Sequence, residues 1–597
     1  MLAILVRHLL QTKGRDDDGS ILVFLPGAPE ISRAEEAVKR VCRGESTMIL
    51  PLHGGLQPKD QGLVFRRAPR GCTKVILSTN VAETSITIPD CTVVVDTCRE
   101  KQSSYDPSNR MPMLVERFAS RDSLRQRRGR AGRVRSGRCY KLISHGTHDG
   151  LPAHGTPEIR RCALDQTLLS LLFLGVETGR GDFLGRMLDP PSDEAIGAAV
   201  ISLEKLGALS SEGFNGSKTE KDQRRLALTP LGMHLAGIPA PPCVGKLLIM
   251  GSLLGCRSAA LAIAAGMSVG RSPFLKVDVF RGGFRGGGRK GADDDEESPE
   301  AMKQKRVLEE RSALFKSVGG NSDLVLLAAA YMKWDAVPQG GGGKKKFCDS
   351  LALSFNGMRD MKTLVRQLDS SLCNVGYHDT LESESNATSW RVIRSCVVSA
   401  LSPGQVVRVE RPSTKYSETV EGAVEKGGNA RELKFYIRGK EDDESTKPLS
   451  SGNNAAGGGG GGSYGLNRRY HGTAEERVFV HPSSSNFGTG NYACPWLVYH
   501  QLVRTSKAFL RDATECSSYA LLLFGGPLEV RASEELVVID GWARLSANAR
   551  IGALVGGLRR KVDDLLSRKV REPSMDIAGS VEMKIIVSLL KSDGLGQ

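Results

Sequence analysis

Residues Ser120 to Tyr140 read SRDSLRQRRGRAGRVRSGRCY. Gln126, Arg127, Arg130 and Arg133 recur about every three residues, which on a helical turn stacks one amide and three guanidiniums along one side. Such a comb of cations needs an anion. Gly129 and Gly132 stand between the arginines, where a missing side chain lets backbone and guanidinium approach a bulky anion. A solvated basic face or a nuclear-localisation run is the usual fate of clustered arginine. The surrounding sequence separates these readings.

Upstream, Ile21 to Leu25 (ILVFL) is a continuous apolar run bounded by Gly19 and by Pro26 and Gly27, the pattern of a strand buried on both faces. Met48 to Leu52, Lys74 to Ser78 and Thr92 to Asp96 are further runs of this kind, and Glu30 to Val41 has helical spacing. Alternating β and α segments predict a parallel sheet covered by helices, with functional loops at the carboxyl ends of the strands.

QRRGRAGR, which contains the arginine comb, resembles motif VI of the superfamily 2 helicases of the DEAH-box type. LSTNVAETSITIPD, Leu77 to Asp90, resembles their motif V, and ILVFLPG their motif IV. The resemblance implies that residues 1–148 form a second RecA-like domain. It implies ATP and Mg2+ as cofactors and RNA as partner, with Arg130 and Arg133 as arginine fingers and Gln126 facing the terminal phosphate and attacking water. Positioned arginines of this kind speed phosphoryl transfer by roughly 10³ to 10⁵. Arg127 is expected to brace the loop. Phe65 occupies the place of the residue that stacks on adenine, and a core phenylalanine is the competing reading. Thr79 and Asn80 match the pair that holds RNA phosphates, while Glu83 to Thr87 and Asp90 are expected toward the nucleotide. VVVDTCREKQSSYDPSNRMPMLVERFAS resembles the segment that forms a wedge-like β-hairpin, with turn chemistry from Pro107 and Asn109. Cys98 and Arg110 stand where that family usually has glycine, and Gly54 where it usually has serine.

The whole chain has 597 residues and a formal net charge of +15, which favours a polyanionic partner. Its thirteen cysteines are scattered without a CxxC pair, so neither a disulfide framework nor a zinc site is indicated. MLAILVRHLL carries Arg7 and His8 and lacks a small-residue cleavage site, so it reads as a helix rather than a signal peptide. Leu247 to Val269 is interrupted by Arg257 and suits buried helices better than a membrane span. A soluble intracellular protein of cytoplasm or nucleus is expected.

Beyond residue 148 the expectation is modular: a winged-helix domain at 149–237, a ratchet-type helical domain at 238–387, an OB-fold domain at 388–546 and a helical extension at 547–597. Thr156 to Gly175 reads as one helix opened by threonine and proline. Pro190 to Leu209 and Leu226 to Ala236 follow, and the three together resemble the family's winged-helix module. Asp193, Glu194 and Ala195 mimic part of the family's name motif, but the preceding prolines and Ser192 cap a helix instead of closing a strand. Leu247 to Ala265, Ala301 to Leu314, Asp323 to Trp334 and Phe347 to Leu368 read as helical. SDLVLLAAAYMKW resembles the family's ratchet helix, with Leu324 where histidine is common. RGGFRGGGRK, Arg281 to Lys290, is either an RNA tether or a plain insertion. Gly340 to Lys346 lacks the earlier glycine and the hydroxyl of a phosphate loop, and Gly457 to Gly462 is a further insertion.

Trp390 to Val409, Arg431 to Arg438, Arg477 to Val480, Trp496 to Thr505, Tyr519 to Phe524 and Leu536 to Asp540 are β-prone, which predicts a small barrel. HPSSSNFG, PWLVYHQLVRTSKAFLRDAT and YALLLFGG resemble the OB-fold region of DEAH-box helicases, and Arg504, Lys507 and Arg511 are its candidate RNA contacts. Arg550 to Val570 reads as a terminal helix. Neither a GxxxxGK[ST] loop nor a DEAH motif after a strand occurs in these residues. The expected function is therefore that of the C-terminal part of an ATP-dependent RNA helicase moving 3′ to 5′, either an incomplete product or a natural half. The alternative is an RNA-binding scaffold without ATPase activity.

Overall fold

A computed structural model describes the chain except residues 13–18, 45, 55, 57–60, 70, 85–86, 107–110, 133–135, 177–182, 213–224, 270–271, 276–298, 339, 341, 412–415, 420–421, 426–429, 431, 440–467, 471–472, 505–506 and 593–597. The expectations for Arg133, for the hairpin tip with Pro107, Asn109 and Arg110, for Arg281 to Lys290 and for Gly457 to Gly462 lie outside the described residues. The chain divides into two compact units, residues 1–164 with 184–198, and residues 165–183 with 199–597.

In the first unit, β1 (Ser20–Phe24), β2 (Thr47–Leu52), β3 (Thr73–Ser78), β4 (Cys91–Asp96) and β7 (Arg138–Lys141) form a parallel sheet in the order β2-β3-β1-β4-β7. The continuous apolar runs are explained by burial on both sides. Ile21, Val23, Val75, Leu77, Val93 and Val95 pack toward the helices Leu2–Thr12 and Ala28–Val41. Leu22, Phe24, Ile76 and Val94 pack on the opposite face with Ala82, Ile88 and Ala131. Between β4 and β7 the chain makes an antiparallel hairpin of β5 (Arg99–Asp106) and β6 (Met111–Phe118), paired from Arg99 with Phe118 to Asp106 with Met111. Cys98, at the hairpin's entrance, has φ +58 and is fully buried. The glycine usual at this place thus reflects a left-handed backbone that cysteine here also adopts.

In the second unit, β8 (Leu209–Glu212) and β9 (Arg225–Leu228) pair antiparallel beside the helix Pro230–Ala236. The expected helix over 156–175 is shorter: a 3-10 turn spans Glu158–Arg160 and the helix itself runs Asp165–Phe173. The helix Asp193–Leu206 begins as read, with Ser192 Oγ accepting from Ala195 N at 3.2 Å.

The helices Pro242–Leu253, Arg257–Ser268, Asp323–Ala336 and Phe355–Asn374 build a bundle whose first two members are buried almost throughout. Arg257 is buried and its guanidinium donates to Asp369 Oδ1 at 2.6 Å and to the Tyr377 carbonyl at 2.8 Å. Phe347 to Leu368 is two helices, the first from Gly343 to Ser350 after a left-handed Gly342.

Two expected strands are helices. Trp390–Leu401 is helical, and only Val406–Glu410 (β10) of that stretch is extended; Ser518–Phe524 is helical as well. Ser518–Phe524 is an aliphatic run buried on nearly all sides, without polar marks to separate the two periods, whereas Trp390–Leu401 carries Arg391, Arg394 and Ser395 at helical spacing among its β-branched residues.

A barrel closes around β10, β13 (Lys434–Arg438), β15 (Thr473–Val480), β16 (Trp496–Arg504) and β17 (Ala508–Glu515) in the order β13-β10-β16-β17-β15, with β13 pairing back to β15. β15 and β17 are parallel neighbours. β14 (Arg468–Tyr470) flanks β15, β11 (Tyr416–Thr419) pairs with β12 (Gly422–Glu425), and β18 (Leu528–Arg531), β19 (Leu536–Ile539) and β20 (Ala543–Ser546) form a separate sheet. The helices Ala549–Arg571 and Val581–Ser592 follow. Among the described residues, no helix is long and apolar enough to cross a membrane.

Candidate functional site

The arginine comb sits on the helix Arg121–Arg128 and the 3-10 turn Gly129–Gly132. Ser120 caps the helix, its Oγ accepting from Ser123 N at 3.3 Å. The carboxyl ends of β3 and β4 supply the surroundings.

Arg127 is 1 % exposed. Its Nε donates to Glu83 Oε2 at 2.9 Å, Nη1 to Asp96 Oδ1 and to the Arg99 carbonyl at 3.2 Å each, and Nη2 to Glu100 Oε2 at 3.2 Å. The guanidinium also lies 5.2 Å from the centre of the Phe24 ring. Burial alone would pull the Arg127 pKa down, but the charges of Asp96, Glu83 and Glu100 outweigh it and hold the group above its ordinary range. Asp96 is raised, because burial outweighs the attraction of Arg127. Arg127 therefore fastens the helix to β4 and the hairpin, as the sequence implied.

Arg130 follows on the 3-10 turn and is buried, with Nη2 donating to the main-chain carbonyl of Glu83. Glu83 thus serves both arginines, since its carboxylate takes Arg127 and, at 2.7 Å, the Ser123 hydroxyl. Gln126 is exposed on the helix. Thr79 is buried and Asn80 exposed just beyond β3, and Thr87 is exposed.

Phe65 and Asp90 belong to another group, at the amino ends of the strands. Lys74, fully buried near the start of β3, pairs with Asp90 Oδ2 at 2.9 Å and donates to the carbonyls of Val64 at 2.8 Å and Arg66 at 3.0 Å. It thereby ties Asp90 to the turn Gly62–Phe65, on which Phe65 is 50 % exposed. The candidates thus fall at two ends of one sheet. Among the described residues, a side chain at Gly54 would meet Val81 Cγ2 at 3.9 Å, an ordinary contact distance.

Among the described residues, no three His, Cys, Asp or Glu side chains gather as a metal-ligand set. On the barrel, Lys507 Nζ lies 4.7 Å from the centre of the Phe479 ring and Arg511 Nη2 lies 3.4 Å from His481 Nε2. Arg504 is apart from them, ion-paired with Glu476 at 2.7 Å. Sequence reasoning missed Asp96, Glu100 and Lys74 as partners of the site. The one available signal was a carboxylate closing the apolar run VVVD, where a buried charge needs a cation.

Residues 2–135 match the helicase conserved C-terminal domain, 241–327 the ratchet-like helicase associated domain (HA2), 450–528 an oligonucleotide/oligosaccharide-binding (OB) fold and 535–592 the C-terminal domain in RNA helicases. Among full-length relatives, the putative DEAH-box ATP-dependent helicase UM11114 of Mycosarcoma maydis is 34% identical over 97% of this chain, which covers 35% of that protein. The DExH-box ATP-dependent RNA helicase DExH1 of Arabidopsis thaliana is 31% identical over 98% of this chain and 50% of its own length. The putative ATP-dependent RNA helicase DHX57 of Homo sapiens is 32% identical over 99% of this chain and 40% of its own length.

The chain belongs to the DEAH-box helicase family. It spans between 35% and 50% of the length of these DEAH-box and DExH-box relatives. The DEAH-box assignment accounts for a parallel sheet, a helical bundle and an OB-type barrel occurring in that order.

Proposed function

We propose that this chain is the C-terminal part of an ATP-dependent RNA helicase, in which Arg130 and Arg133 neutralise the terminal phosphate of ATP and Gln126 positions the attacking water. The observation that carries this reading is the division of labour along one helix. Arg127 is spent on the carboxylates of Glu83, Asp96 and Glu100, while Gln126, its neighbour, is exposed and Arg130 donates to a neutral main-chain carbonyl. A guanidinium can exchange a neutral carbonyl acceptor for a charged phosphate, which is the stronger hydrogen-bond partner. ATP brings the phosphoanhydride that is cleaved, and Mg2+ is held, in this reading, by the lobe carrying the phosphate loop.

Phe65 and Asp90, held together by Lys74, are assigned to the adenosine end of the nucleotide, with Glu83 and Thr87 nearer the phosphates. Thr79 and Asn80, short polar groups at a strand end, suit contacts to RNA phosphates. Arg504, Lys507 and Arg511 are the proposed RNA contacts of the barrel. The strand pair β8 and β9 with its neighbouring helices is the proposed winged-helix module, and movement is 3′ to 5′.

The test supplies this chain with a RecA-like lobe that carries a phosphate loop and a DEAH motif. RNA-stimulated ATP hydrolysis is expected, and Arg130→Ala or Arg133→Ala is expected to lower kcat by about 10³ or more while sparing RNA affinity. Unchanged turnover in both variants overturns the assignment. A second reading, an RNA-binding scaffold without turnover, is favoured by the lack of a GxxxxGK[ST] loop in these residues. ATP hydrolysis by this purified chain alone would exclude it.

A further inference from the structure

Two neighbouring barrel strands carry the same alternation. Arg477, Val478, Phe479, Val480 and His481 run along and just past β15, and Lys507, Ala508, Phe509, Leu510 and Arg511 enter and run along β17. Successive strand residues point to opposite faces, so the aliphatic residues turn inward while cations and rings turn outward. Val478, Val480, Ala508 and Leu510 are indeed buried. The parallel register aligns the two patterns, placing Phe479 opposite Phe509 and Val480 opposite Leu510.

The outer face is consequently a small aromatic surface bordered by cations. The rings of Phe479 and Phe509 are 6.2 Å apart and inclined at 48°, and His481 stands edge-on to Phe509 at 5.8 Å. The Arg477 guanidinium lies 5.1 Å and the Lys507 ammonium 4.7 Å from the centre of the Phe479 ring. A cross-strand aromatic pair stabilises a sheet by about 0.2–1 kcal/mol, which would account for the rings. It does not account for a cation from each strand over one of them. Glu476 lies on the other alternation and is taken by Arg504.

We infer that this face is a stacking platform for the bases of single-stranded RNA, with Phe479 and Phe509 as the rings and Arg477, Lys507 and Arg511 as its phosphate partners. The inference rests on the RNA reading above and adds to it the groups that grip the bases. Charge complementarity selects a polyanion, and the partly buried rings of Phe479 and Phe509 at the barrel surface select one that carries flat rings at intervals. Every base has such a face, so binding here is tolerant of sequence. Arrival of a base displaces the cations from the Phe479 ring toward the phosphates that accompany it.

The test titrates the full chain with a labelled short oligouridine and with an abasic oligomer of equal phosphate count. Phe479→Ala with Phe509→Ala is expected to weaken oligouridine binding about tenfold or more while leaving the abasic oligomer within about twofold. The double Phe→Leu variant, which keeps apolar bulk on the sheet, is expected to show the same selective loss and guards against misfolding. Arg477→Gln with Lys507→Gln is expected to weaken both oligomers and to flatten the dependence of affinity on salt. Equal losses for the two oligomers, or none in either Phe variant, overturn the platform while leaving RNA binding in place. Failure of the unsubstituted chain to bind either oligomer removes the RNA reading itself.

Discussion

Asp96, buried, and Asp323, partly buried, are both carboxylates of structural importance, and they are satisfied in opposite ways. Asp96, fully enclosed at the end of β4, faces the Arg127 guanidinium at 3.2 Å and accepts from Cys98 N at 2.8 Å. Asp323, in the first turn of its helix, is held by dipoles. Its oxygens accept from the Ser484 hydroxyl at 2.6 Å, Ser485 N at 2.7 Å and Ala513 N at 3.2 Å. These bonds tie the helix Asp323–Ala336 to the loop after β15 and to β17. A carboxylate matched by a cation forms a joint that is costly to break from either side. One matched by dipoles forms a joint that a neutral amide can imitate.

The sharpest way to break the comparison is to remove the cation. Arg127→Ala takes the shared cation from Glu83 and Asp96 and leaves Glu100 to Arg117 at 3.3 Å, and stability is expected to fall by about 3–5 kcal/mol, read from the denaturation midpoint. Arg127→Lys is expected to recover only part of that loss, because an ammonium cannot reproduce the planar fork that reaches three carboxylates. An unchanged midpoint in Arg127→Ala would show that the network carries no net stability.

The dipole-satisfied carboxylate is tested by pH. Burial, aided by Asp512, pushes Asp323 up to about 6. The folded form thus holds its proton more tightly than the unfolded chain does, and stability is expected to decline as pH rises from about 4 through about 6. The side chain keeps some contact with water, so the change is limited to ~3 kcal/mol or less. Asp323→Asn should flatten that slope in denaturation series taken across the window. A slope no shallower in Asp323→Asn would assign it to other raised carboxyls such as Asp96.

The smallest effect concerns the backbone that serves Asp96. Cys98 donates to Asp96 from a left-handed conformation, so Cys98→Val is expected to cost about 1–2 kcal/mol and Cys98→Gly much less. Equal losses in the two variants would point to the buried thiol rather than the turn.

Much of this architecture was legible beforehand because ILVFL, KVILS and VVVD are strands covered on both faces, and such strands are written as unbroken apolar runs. The same rule misled at Ser518–Phe524, where nearly complete burial erases the contrast between helical and extended periods, and at Trp390–Leu401, where the β-branched residues outweighed the helical spacing of Arg391, Arg394 and Ser395. The arginine comb was legible because its residues are near neighbours in the chain. The cage around Arg127 was not, since Glu83, Asp96 and Glu100 reach it from separate elements of the fold. Phe479 and Phe509 likewise become neighbours only through the pairing of β15 with β17, which no local pattern announces.

The way the barrel is sealed bears on how this protein can change over generations. Arg438 of β13 and Arg468 of β14 both pair across Glu475 of β15, so the intervening segment leaves and rejoins the sheet on strands flanking one residue. Between two anchors fixed in this way, each doubling of the length of a flexible connection costs only about 0.6 kcal/mol in closure entropy. Insertions of glycine there are cheap for heredity to accumulate, and the same place offers engineers a site for splicing in a tag or a foreign domain.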